Sequence, residues 1–85
     1  MLGKELLDSI LDNYPDEEIL SADGLDDAII GLEMNSMKLI YSVSKCLEKF
    51  VEDGMTEDEA IEYFEYNVFC AYVGDHTPIW CYDDF

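Results

Sequence analysis

The chain has 85 residues, enough for one small domain, and 49% of them are apolar, so a modest core is affordable. Twenty-one acidic residues face four lysines and no arginine, giving a formal charge of -17; a small soluble domain usually carries about 2 to 8 charges. That balance excludes direct nucleic-acid binding, which needs a basic stripe, and adsorption to an anionic membrane. Without arginine there is no bidentate phosphate clamp, and a basic protein is the favoured partner.

In chain order, Leu2, Leu6, Leu7, Ile10 and Leu11 recur at helical spacing, with Glu5, Asp8 and Asp12 between them. Pro15 stops this first helix. The stretch "PDEEILSADGLDD" reads as an irregular acidic loop with Ile19 and Leu20 tucked beneath it. Two short runs, Ala28 to Leu32 and Met37 to Ser42, flank a polar "EMNS" and predict a β-hairpin with Asn35 in the turn. A continuous helix is the competing reading; the Ile pair, Gly31 and "YSV" favour strands.

Ser42 or Ser44 caps a second helix running to about Asp53, with Cys46, Leu47, Phe50 and Val51 inward and Gly54 as its stop. Thr56 and Glu59 form a capping box, the strongest local signal in the chain. The third helix is expected to run to about Val73, with Ile61, Phe64, Val68 and Ala71 inward and Gly74 ending it. Then "GDHTPIWCYDDF" leaves as an extended tail, in which Ile79 to Tyr82 are able to pair as a third strand. The expected architecture is therefore α+β over a single domain, 1–85: N-terminal helix, hairpin and two C-terminal helices, with a short C-terminal strand as an option.

The charge has a pattern. Asp58, Glu62 and Glu65 follow a 4-then-3 spacing on the outer face of the third helix, so successive carboxylates stand about 5 to 6 Å apart along the axis. That resembles the phosphate spacing of one nucleic-acid strand. A rigid row of this kind presents a DNA-binding groove with a comparable field. Residues 5 to 27 hold further acids with no base among them, including Glu5, Asp8, Asp12, Asp16, Glu17 and Glu18. The bland alternative is a solvated helix face, and salt adaptation is another; the eleven aromatic residues argue against the latter.

Other chemistry is thin. Cys46, Cys70, Cys81 and His76 match no compact zinc spacing, and the cysteines read as small apolar residues. His76 beside Asp75 is no organised nucleophilic pair and reads as a turn residue with a local hydrogen bond. "DNYPDEEILSAD" has Glu17 where a calcium loop needs glycine. "VEDGMTED" suggests a helix-turn-helix, but its second helix would carry five carboxylates into the groove. No enzyme, metal or cofactor is expected. An odd cysteine number without a CxxC motif, and no apolar run for a leader or span, point to a reducing cytoplasm. Trp80, Tyr82 and Phe85 read either as cover for the sheet or as an exposed aromatic anchor.

The segments Ala28-Ile29-Ile30-Gly31, Tyr41-Ser42, Lys45-Cys46, "MTEDEAIEYFEYN" and "AYVGDHTP" together resemble a group of small acidic proteins encoded by bacteriophages. The resemblance covers residues 41–80 most closely and leaves out the first 27. It implies a phage origin and a host cytoplasm. By analogy of class it implies an inhibitor of host defence, such as an anti-CRISPR or anti-restriction protein, some of which act as DNA mimics. The expected function is thus inhibition of a CRISPR effector or restriction nuclease through its basic nucleic-acid surface. The alternative is a non-mimic interaction protein docking through aromatic and apolar residues.

Overall fold

The computed structural model describes residues 3–22, 24–69 and 76–83. Its architecture is α+β: α1 (Gly3–Asn13), a 3₁₀ turn (Asp26–Ala28), β1 (Ile29–Glu33), β2 (Lys38–Ser42), α2 (Val43–Glu52), α3 (Glu57–Tyr63), a π-helical segment (Phe64–Phe69) and β3 (Ile79–Cys81). One sheet in the order β1-β2-β3 carries the helices.

The hairpin forms where the sequence places it, around a Met34–Met37 turn. The Glu33 carboxylate holds that turn, accepting the Asn35 and Ser36 amides at 2.8 Å each and the Ser36 hydroxyl. These bonds, the Ser36 hydroxyl foremost, lower the Glu33 pKa from the ordinary carboxylate value. Met37 closes the turn at φ 56, a left-handed conformation uncommon outside glycine and asparagine. A bulge at Ile30 resets the alternation of β1, so Ile29 faces Tyr41 and Leu32 faces Leu39 on the inner side. Ile30 is left exposed.

β3 joins β2 in parallel, with Tyr41 opposite Trp80. A parallel partner needs a long crossover, and α2, α3 and the π segment supply it. Tyr41 and Leu39 are fully buried, among a core that includes Leu7, Ile10, Ile29, Cys46, Phe50 and Phe64. Trp80 packs its ring 5.1 Å from Tyr41 and 5.5 Å, edge-on, from Phe64. Of the two readings of the aromatic tail, Trp80 therefore follows the core one. Tyr82 is 69% exposed, and Phe85 lies outside the described residues.

Ser42 caps α2: its hydroxyl accepts the Lys45 amide at 3.2 Å. That hydroxyl also donates to Asp83 at 2.7 Å, and Ser44 donates to the same oxygen at 3.0 Å. The tail is thereby clamped to the start of α2. Gly54, at φ 113, closes the helix: its amide reaches the Val51 carbonyl and the Met55 amide reaches that of Phe50, the paired pattern that an αL glycine permits. Both halves of the Thr56–Glu59 capping box are present.

Three expectations need correction. The third helix does not continue as a regular α-helix toward Val73: it gives way at Phe64 to a π-helical segment, and residues 70–75, with Ala71 and Gly74, lie outside the described residues. Ile61 and Val51 are not inward but 44% and 40% exposed. Ala60 and Phe64 are the buried residues of this stretch, and Tyr63 sets its ring edge-on 5.0 Å from Phe50 of α2, which leaves Ile61 on the flank. Leu11 of α1 is likewise exposed: its inner face is Gly3, Leu7 and Ile10, because Gly3 lets the helix backbone close onto Asp26 and Asp27.

Candidate functional site

All nine carboxylates singled out by sequence are exposed: Glu5, Asp8, Asp12, Asp16, Glu17, Glu18, Asp58, Glu62 and Glu65. The fold groups them unevenly. On α1 the amphipathic period sets Glu5, Asp8 and Asp12 within about 60° of one another, opposite the buried Gly3, Leu7 and Ile10. Their axial separations are about 4.5 and 6 Å. Asp16, Glu17 and Glu18 follow on the exposed loop beyond the helix.

On α3, Asp58 and Glu62 keep the expected relation, about 40° and 6 Å apart. Glu65 does not continue that line regularly, because it sits in the wider π-helical turn. The two acidic groups also ride on elements with different neighbours: α1 packs on β1 and the 3₁₀ turn, α3 on α2. The structure thus carries the acids on two elements, three in line on α1 and two in line on α3.

Positive charge does little to offset them. None of the nine is ion-paired with a lysine among the described residues; Lys49 pairs with Asp53 at 3.4 Å, both well exposed. Glu18 has His76 Nε2 at 3.7 Å, a charged contact when the imidazole is protonated. His76 occupies a turn as expected, but its contact is with Glu18 and its Nδ1 has no hydrogen-bond partner among the described residues.

Two grooves flank α3. One, of about 440 Å³, is lined by Met55, Glu59, Glu62, Tyr63, Tyr66 and Asn67. The other, of about 510 Å³, runs between α2 and α3, with Leu47, Val51 and Ile61 along it and Glu48, Glu52 and Glu57 at its edges. The periodicity alone assigned Val51 and Ile61 to the interior, so sequence reasoning missed this groove. The residual signal was the flanking Glu48, Glu52 and Glu57, which put acids beside apolar positions on both helices.

The Cys46 thiol is fully enclosed, and burial, assisted by the nearby Asp83 charge, pushes its pKa up to about 11; as a thiol at neutral pH it is a poor nucleophile. Asp83 itself is held below the ordinary carboxylate value, foremost by the Ser42 hydroxyl; burial opposes this, and the Ser44 hydroxyl adds a lesser lowering effect. Among the described residues no group of three histidine, cysteine or acidic side chains converges as a metal site, and no helix is long and apolar enough to cross a membrane. Neither a protein-family model, nor a curated protein, nor a solved structure matches the chain.

Proposed function

We propose that the protein is an inhibitor that binds the basic nucleic-acid-binding surface of a host defence enzyme, a CRISPR effector or a restriction nuclease, and acts there as a DNA mimic in the host cytoplasm. The carrying observation is the set of exposed carboxylates on α1 and α3, fixed by helices and, among the described residues, without a lysine ion pair. Such carboxylates steer a fast encounter with a cationic channel and then compete with phosphates for the same side chains. The resemblance to small acidic phage proteins supplies the class of target. The protein works by occupancy, without catalysis.

The test is a tagged pull-down from nuclease-treated bacterial lysate, eluted with salt and, separately, with duplex DNA. A basic nucleic-acid enzyme released by DNA supports the reading and names the target. Reversing Asp58, Glu62 and Glu65 together to lysine is expected to weaken retention far more than any single reversal. Undiminished retention by the folded triple variant removes α3 as the imitating surface.

A second reading is a non-mimic interaction protein that docks through apolar and aromatic residues. The 69% exposure of Tyr82 favours it. Salt separates the two: a mimic loses affinity steeply as the Debye length falls to about 8 Å near physiological ionic strength, whereas an aromatic anchor loses little.

A further inference from the structure

Val51 and Ile61 sit on two different helices. Each falls on the apolar period of its own helix, and each remains 40% or more exposed. They line the same groove, with Leu47 beside them. Two interior-type residues left open in one place form a small apolar strip, and the strip is edged by Glu48, Glu52 and Glu57.

We propose that this α2/α3 groove docks an amphipathic basic helix of the partner protein. The inference rests on the reading that the partner is basic, and it names the element that the groove receives. Charge selects the occupant. No lysine is among the groove residues; Lys45 and Lys49 stand one turn along α2 from Glu48 and Glu52, but the lysine ion pair formed among the described residues is Lys49 with Asp53. A second copy of this chain, at a net -17, would set carboxylates against carboxylates. Nucleic acid is repelled for the same reason.

Geometry selects a helix over an extended strand. The groove walls are helices whose backbone groups are bonded internally, so they offer no sheet edge for strand addition. An occupant that enters an apolar strip must bring its own backbone hydrogen bonds already made, as a helix does. Its apolar residues at i, i+3, i+4 and i+7 would lie against Leu47, Val51 and Ile61. Lysines or arginines on its flanks would meet Glu48, Glu52 and Glu57, as ridge-into-groove packing of a third helix allows.

The probe is a synthetic peptide of about 18 residues, close to five helical turns, with leucine on one face and lysine on the other. A control peptide has the same composition with the leucines scattered round the helix. Affinities are measured by calorimetry at about 0.15 M salt, and the contact is mapped by amide chemical shifts. The ordered peptide is expected to bind roughly tenfold tighter than the control and to shift residues of α2 and α3 along the groove, the difference arising from apolar burial.

The Val51→Asp/Ile61→Asp variant makes the protein more acidic while spoiling the strip. Charge alone would then raise affinity for the peptide, whereas the groove requires a fall of roughly tenfold. Both positions are exposed, and far-UV circular dichroism checks the fold. As a second arm, Glu48→Lys/Glu52→Lys is expected to weaken binding with the strip intact. Equal binding of the two peptides, unchanged or tighter binding by the Asp variant, or shifts confined to α1 would overturn the proposal. The pull-down keeps the two readings apart. Retention lost in the groove variants, with a protein that DNA does not release, leaves the groove standing and removes the imitation of DNA. Retention that depends on Asp58, Glu62 and Glu65 and ignores the groove variants does the reverse.

Discussion

Tyr41→Phe is the sharpest test of how the acidic loop is held. Tyr41 is fully buried in the middle strand, opposite Ile29 on one side and Trp80 on the other. Its hydroxyl accepts the Ala22 amide at 2.7 Å across 19 residues of chain. Phenylalanine keeps the ring, its packing on Ile29 and its tilted contact with Trp80, and removes that acceptor. A part-buried donor left without its partner costs about 1 to 2 kcal/mol, since Ala22 lies near enough to the surface for partial rehydration. For a domain of this size that corresponds to a fall in Tm of roughly 4 to 16 °C. Urea unfolding followed by circular dichroism measures it, with the m-value expected to stay constant because the exposed area hardly changes. Hydrogen exchange of the Ala22 amide is expected to accelerate beyond the global change. A stability loss below about 0.5 kcal/mol, the ordinary scatter of surface substitutions, would refute the view that Tyr41 ties the loop to the core.

Two further substitutions test other joints. Gly3→Ala should destabilise by about 1 to 3 kcal/mol, because an added Cβ overlaps the Asp26 carbonyl and stands 2.8 Å from the Asp27 backbone; helix propensity alone would give a gain of about 1 kcal/mol, so the sign in a thermal melt decides. Asp83→Asn should lower stability at neutral pH by loosening the clamp on Ser42 and Ser44. Since the folded carboxyl has a lowered pKa, its contribution is fully present above the unfolded value of about 3.9. That contribution is lost as pH falls through the folded value. The gap between wild type and variant should therefore close in acid; a gap that persists at the lowest pH would show that the charge on Asp83 contributes nothing.

The local signals were legible because they depend on neighbours in sequence. Ser42, Gly54 and the Thr56–Glu59 box set helix ends through bonds spanning a few residues, and the Asn35 turn set the hairpin. The exposure of the nine carboxylates was legible too, since burying an unpaired charge is costly wherever the chain goes. The tertiary structure decided what depends on how elements meet. The Ile30 bulge and the 3₁₀ turn over Asp26–Ala28 carry no local mark; they adjust β1 to Tyr41 and α1 to its neighbours. The π-helical break after Tyr63 splits the regular row of acids, which periodicity alone extends. Above all, periodicity says which residues are apolar and share a face, but the angle at which two helices meet says which of them are covered. Ala60 and Phe64 took the contact with the rest of the fold, and so Val51 and Ile61, interior by sequence, became the walls of a groove.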